Sequence, residues 1–370
     1  MSNESARPYI GGQAVLEGVM MRAPRSFAVV VRRKDGSLSV RERAMTERPG
    51  GVQRLPLVRG VMSLVESLRL GGEALRFSVD QMERDLTGVV TATLTAFGLT
   101  LLSLLTRADV EGGAEAQASG GRRAGTWLMA GIAIAFFVAL PQGIAAGVNR
   151  WFALGFEVQS PGFQAITGCF KLMVVVTYLM VIRRVPDIRR VFQYHGAEHK
   201  TISTYEAGEA LTVDNARAKT TLHPRCGTTF LVMVALVSIL VFTAVGAALP
   251  RIHTGSALLD NLVFFLEKLP FLPPIAAVTF EIQRVFARYC TRGPLRALLW
   301  PGFLVQKITT AEPDDDQLEV ALASLRVTLF RQSEEASEPA RNEPGPALET
   351  DVSFPTYAAL LAAPRLRATA

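Results

Sequence analysis

The run Gly227-Thr228-Thr229-Phe230-Leu231-Val232-Met233-Val234-Ala235-Leu236-Val237-Ser238-Ile239-Leu240-Val241-Phe242 continues to Leu249 without a single charge. As a helix, rising about 1.5 Å per residue, it is long enough to cross the hydrocarbon of a bilayer. Directly before it stand His223-Pro224-Arg225-Cys226, and further upstream Tyr194-His195-Gly196-Ala197-Glu198-His199-Lys200. The chain has four histidines and three cysteines, and three of those histidines and one of those cysteines lie between Tyr194 and Gly227. Side chains able to bind a metal are thus gathered at one membrane edge.

Working outward, further apolar blocks cover residues 87–106, 126–148, 163–182 and 257–282. The first is the least hydrophobic. A linker rich in Gly, Ala and Ser, 111–121, separates it from the second, in which Pro141 predicts a kink. The third carries Lys171, read as snorkelling to the headgroups. The last is broken by Glu267-Lys268 and by Pro270, Pro273 and Pro274, which allows a short helix with a tilted span or a re-entrant hairpin. The fold class is therefore mainly α: a polytopic α-helical membrane protein, carrying a small N-terminal α+β module on the cytoplasmic side.

That module covers residues 1–86. Phe27–Arg33 and Leu38–Arg43 read as strands joined at Asp35-Gly36, a strong hairpin signal. Val61, Leu64, Val65 and Leu68 predict an amphipathic helix over 58–77, interrupted at Gly71-Gly72. Gly11, Gly12 and Gly18 read as turn residues, because they match neither the dinucleotide fingerprint nor a P-loop. The membrane domain, 87–310, includes the metal-type loop 183–225. A helix over 311–330 starts with acids suited to its N-terminus and reads as exposed. Residues 331–370, rich in Glu, Pro, Ala and Arg, read as a disordered tail.

Charge sets the orientation. Arg183, Arg184, Arg189 and Arg190 place the metal-type loop in the cytoplasm, and Arg284, Arg288, Arg292 and Arg296 place the far end there too. Arg122 and Arg123 put the linker inside, while 149–161 fits outside. The second, third, fourth and last blocks then span, and the first is re-entrant or in-plane. The net charge of +6 is explained by topology and contact with the lipid bilayer, so no nucleic-acid partner is expected. Three widely spaced cysteines do not make a disulfide framework, and Cys169 reads as a packing residue. With no signal peptide visible, the first block would direct insertion into the cytoplasmic membrane as a multi-pass protein.

His195 and His199 are four apart, so on a helix both rings project to one side. Two such histidines can share a divalent ion, and Glu198 beside them can act as general base. The order H-x-x-E-H occurs in inverzincin peptidases. His223 and Cys226 add an imidazole and a thiolate, the latter favoured at a helix N-terminus. Zinc heads the candidate metals for this N/S set, another divalent ion being the alternative. Four ligands, His195, His199, His223 and Cys226, would make a closed, structural site; three would leave room for catalysis by Glu198. Glu206 and Glu281 are alternative acidic ligands, and Glu198 could instead hold a histidine N–H.

These segments, together with Gly11-Gly12-Gln13-Ala14-Val15-Leu16-Glu17-Gly18-Val19-Met20-Met21-Arg22, Thr309-Thr310-Ala311-Glu312-Pro313-Asp314 and Gln317-Leu318-Glu319-Val320, resemble a bacterial membrane-protein family. It is known as domain of unknown function 1385, the YqhQ-like proteins, and the resemblance covers about residues 8 to 325. It implies a metal-dependent enzyme resting on the same His, Glu and Cys residues, with no defined reaction. The expected function is that of a zinc-dependent, hydrolase-like enzyme acting on a membrane-protein or lipid-linked substrate. A non-catalytic scaffold or assembly factor with a structural metal is the alternative. Transport along a path lined by Lys171 and the broken last span comes third.

Overall fold

The structure, a computed structural model, describes residues 7–45, 55–83, 135–245, 248–249, 255–290, 293–337, 350–364 and 366. It is mostly helical, with a small antiparallel sheet built largely from the N-terminal segment. The strands β1 (Gly11–Val15), β2 (Gly18–Arg22), β3 (Ser26–Arg32) and β4 (Leu38–Ala44) form a meander in sequence order. The hairpin at Asp35-Gly36 forms as expected, with Gly36 at positive φ and Asp35 accepting from the Ser37 amide. The opening glycine-rich segment does not place Gly11, Gly12 and Gly18 in tight turns. It is the hairpin β1–β2, pairing Gly11 with Arg22 and Val15 with Gly18.

Both faces of the sheet are buried, which is why β3 reads Phe27-Ala28-Val29-Val30-Val31 without alternation. Phe27, Val29 and Val31 face Leu70, Ala74 and Phe77 of α1 (Val58–Glu83). Ala28 and Val30 face the other way, into the core shared with α4 (Pro186–Ala207) and α10 (Asp315–Ser337). The strands β1–β4 therefore share a core with the metal-type stretch and lie on its side of the molecule. α1 runs unbroken through Gly71-Gly72: a Cβ at Gly71 would lie 2.3 Å from Gln13 Oε1, so this glycine admits β1 instead of ending the helix.

The helix expected to be exposed is the most buried of the described helices. Leu318, Val320, Ala321, Leu322, Ala323, Leu325 and Val327 of α10 are all fully buried. Two of its buried polar residues bond internally, Ser324 donating to the Ala28 carbonyl and Arg326 to the Leu211 carbonyl. Part of the tail expected to be disordered is folded as well. β5 (Thr350–Phe354) adds to the edge of β4, with Arg41 making two 2.9 Å bonds to Asp351, and α11 (Tyr357–Ala362) follows.

Among the described residues, three helices are long and apolar enough to cross a membrane: Pro161–Ile182, Gly227–Val245 and Leu262–Phe286. The first is α3, started by Ser160, whose side chain accepts from the Phe163 amide, and by Pro161. The second is α6. The third joins α7 (Ala257–Lys268) to α8 (Leu272–Tyr289) through one 3₁₀ turn, Leu269–Phe271, with the backbone staying right-handed. The prolines thus fall at a turn and a helix start, and the re-entrant hairpin does not form. Pro141 follows a π-helical segment, Ala135–Ala139, so it stands where the helix departs from the regular hydrogen-bond ladder before continuing as α2 (Leu140–Trp151). The block 87–106, the linker 111–121 and the first part of 126–148 lie outside the described residues. α5 (Val213–Arg217) and α9 (Trp300–Thr309) complete the frame around the site.

Candidate metal centre

α4 brings His195 and His199 together, with ring centroids 4.4 Å apart. Each ring is oriented by a backbone carbonyl: His195 Nδ1 lies 2.9 Å from the Thr309 oxygen, and His199 Nδ1 meets the Thr221 oxygen. A carbonyl only accepts, so Nδ1 carries a proton in both rings and Nε2 is the atom turned inward. His195 Nε2 lies 3.1 Å from Cys226 Sγ. His199 Nε2 is buried without a hydrogen-bond partner.

Cys226 stands just before the first residue of α6. Its sulfur accepts from the Thr228 amide at 3.4 Å and lies 3.0 Å from the Thr228 hydroxyl. Burial pushes the thiol up, but the imidazoles of His195 and His199 outweigh it and hold Cys226 well below the usual thiol range. The converse holds for His195. Burial alone would lower it, yet the Cys226 thiolate, Glu198 and the Thr309 carbonyl raise it to about 9. The donor atoms of His195, His199 and Cys226 lie within 4.8 Å of one another. Two inward imidazole nitrogens, one of them orphaned, and a thiolate match the soft N/S set that zinc prefers. The residues fit the ion.

His223 stands outside that group. Its ring centroid is 5.6 Å from that of His199. Both nitrogens are engaged, Nε2 at 3.4 Å from Glu206 Oε2 and Nδ1 accepting from the Arg225 amide at 3.4 Å. Burial depresses His223 to about 4, so it is neutral at pH 7. The alternative acids are occupied too: Glu206 pairs with Arg225, and Glu281 makes two bonds to Arg59.

Glu198 lies beside the three donors, buried beneath β1. Its Oε2 has no hydrogen-bond partner. Burial raises its pKa, opposed by the imidazoles of His195 and His199. A Cβ at Gly12 would fall 2.8 Å from the Glu198 side chain, so the glycine-rich hairpin is shaped to cover this carboxylate. The hairpin is tied down by Glu17, which accepts from Arg190 and from the Tyr194 hydroxyl.

Sequence reasoning did not find Gln306. It is fully buried on α9 and holds both backbone groups of His223, accepting from its amide at 2.9 Å and donating to its carbonyl at 2.7 Å. A lone glutamine in an apolar helix was the available signal. Gly196 is equally unforgiving, since a Cβ there would lie 2.1 Å from the Ala311 carbonyl oxygen. Gly196→Ala is expected to cost about 3 kcal/mol by overpacking against backbone. Thermal unfolding in detergent would show this as a lowered midpoint, and an unchanged midpoint would mean the 310–312 segment moves freely.

With this geometry in hand, comparison with known proteins adds two facts. A family model described as a protein of unknown function (DUF1385) matches residues 55–330. The uncharacterized protein YqhQ of Bacillus subtilis (strain 168) is 28% identical over 348 residues, covering 92% of this chain and 99% of that protein. No solved structure matches.

Proposed function

The chain belongs to the DUF1385 family of proteins of unknown function, and we propose that it is a metal-dependent, hydrolase-like, multi-pass protein of the cytoplasmic membrane. The observation that carries this reading is the buried group His195, His199 and Cys226, with the unpartnered His199 Nε2 and Glu198 Oε2 beside it. His195, His199 and Cys226 would hold zinc. When bound, the ion supplies a Lewis acid at the membrane edge.

The protein's own residues do the rest. The carbonyls of Thr309 and Thr221 fix the two rings so that no reorientation is needed. Glu198, whose burial favours the protonated form, is suited to take a proton and return it at its carboxylate. β1 covers it and limits water. Three donors leave a position that four would close, which favours catalysis over a purely structural ion. The arginines at the inner ends of the spans support a cytoplasmic site, so the substrate would be a lipid-linked molecule or a membrane peptide reached from that side.

A structural metal is the second reading, favoured by one observation. The donors come from α4 and the start of α6, and both helices are already tied to α9, through His195 to Thr309 and Gln306 to Thr229, so an ion would pin three helices.

Zinc titration tests the premise common to both readings. At pH 7 the metal-free His195, raised to about 9, is protonated, and the imidazoles of His195 and His199 favour the thiolate of Cys226. Binding needs a neutral imidazole, so at pH 7 zinc should release about one proton. The release should vanish as pH rises past 9. Calorimetry in buffers of different ionisation heat measures it, and zinc that fails to bind at all would remove the proposal.

A further inference from the structure

The 3₁₀ turn Pro294–Leu299 and α9 follow the third candidate span and meet the ends of all three. Phe286, where the third span ends, packs with Leu222 against Leu299, Phe303 and Cys290. Gly302 admits the first turn of α6, since a Cβ there would lie 2.3 Å from the Thr229 side chain. Arg183, directly after α3, donates to the Lys307 carbonyl. α9 is thereby fixed where the apolar helices end, which in a bilayer is the level of the lipid headgroups.

A cavity of about 240 Å³ opens on this helix, lined by Leu222, Arg296, Trp300, Phe303, Leu304 and Lys307. Trp300, Leu304 and Lys307 share one face of α9, being four and three residues apart. Phe303 is buried, but Trp300 and Leu304 are 54% and 51% exposed although they wall the cavity, and Leu295 and Leu298 just before them are exposed too. Two cations stand on the same cavity, each beside a ring. The Arg296 guanidinium lies 5.9 Å from the centre of the Phe303 ring, and the Lys307 amine lies 5.9 Å from that of Trp300. Among the described residues neither side chain meets a carboxylate. Ring contacts favour the charge without spending its N–H donors.

We propose that this cavity binds an anionic membrane lipid by its phosphate. Arg296 and Lys307 donate to the phosphate oxygens, the planar guanidinium matching them as a fork. Trp300 and Leu304 lie against the start of the acyl chains, an indole being suited to the membrane interface. A free anion has no use for these apolar walls, whereas a lipid presents a charged head and an apolar chain together at this level. Leu222 joins the cavity to the His/Cys group, because it stands between Thr221, whose carbonyl orients His199, and His223. The site rests on the membrane reading above and is independent of the metal.

Quenching of tryptophan by brominated lipid tests this in the full chain reconstituted in bilayers. Trp127→Phe with Trp151→Phe leaves Trp300 as the single tryptophan. Trp127→Phe with Trp300→Phe leaves Trp151, 85% exposed at the end of α2, as the control. The bilayers mix phosphatidylglycerol and phosphatidylcholine, with bromine on the chains of one or the other. Trp300 should select phosphatidylglycerol about tenfold, and Trp151 should select neither. Arg296→Gln with Lys307→Gln should bring Trp300 to parity, and Arg296→Lys with Lys307→Arg should keep the preference. Inorganic phosphate should leave it unchanged. Equal quenching by the two lipids at Trp300, or the same preference at Trp151, would overturn the proposal whatever the variants do. Reversal by phosphate would give the cavity to a free anion instead. No quenching of a membrane-bound chain would mean that protein, not lipid, covers Trp300. A chain that fails to float with the vesicles would remove the membrane reading and this site with it.

Discussion

Alanine at His195, His199 or Cys226 is expected to strip the detergent-purified protein of zinc, while His223→Ala leaves the metal in place. Loss of a direct ligand should weaken affinity by more than about 100-fold, the upper range seen for groups that merely orient ligands. The contrast with His223 follows from geometry. The first three donors lie within 4.8 Å of each other, whereas both His223 nitrogens are spent on Glu206 and the Arg225 amide. Metal content by mass spectrometry, backed by competition with a chelator, reads the result. Loss of metal in His223→Ala to the same extent would make the site four-coordinate and closed, and the structural reading would replace catalysis. Metal retained when Cys226 is removed would break the assignment of the thiolate.

Glu198→Gln separates the two functions of a bound ion. The amide has the shape of the carboxylate and should leave zinc content and thermal midpoint close to wild type. It cannot accept a proton as the carboxylate does, so activity resting on proton transfer should fall by about 10²- to 10⁴-fold. With no substrate in hand, complementation of a deletion strain is the readout. His199→Ala serves as the comparison, expected to lose metal and stability together. If Glu198→Gln complements fully while His199→Ala does not, the ion is a structural pin and Glu198 is not a base. A collapse in stability of Glu198→Gln would show that the carboxylate is required for folding beneath Gly12.

Local pattern was enough for much of the frame. An uncharged run as long as 227–249 has one stable outcome in lipid, because each backbone group must be satisfied within the segment. The same argument yields α3. The Asp35-Gly36 hairpin is fixed by its own turn residues, and the spacing of His195 and His199 places both rings on one side of α4 wherever the helix lies. These features depend on residues within a few positions of one another.

Other features were set by partners distant in sequence. α10 carries Asp, Gln, Glu and Ser, so its sequence resembles an exposed helix, yet the sheet and α4 enclose it and two of its buried polar residues find internal acceptors. β5 becomes a strand because the edge of β4 offers it hydrogen bonds across more than 300 positions. Gly12 and Gly71 could be read only as turn or breaker residues until Glu198 and Gln13 were placed against them. The same division runs through the metal group. The sequence by itself determined a cluster of His, Glu and Cys at the edge of a long apolar run, because composition and helical spacing suffice for that. Only the tertiary structure decided that His195, His199 and Cys226 converge while His223 turns away. That outcome depends on α9, where Thr309 orients one ring and Gln306 holds the His223 backbone, and no local pattern encodes which carbonyl or amide will arrive from more than 80 residues away.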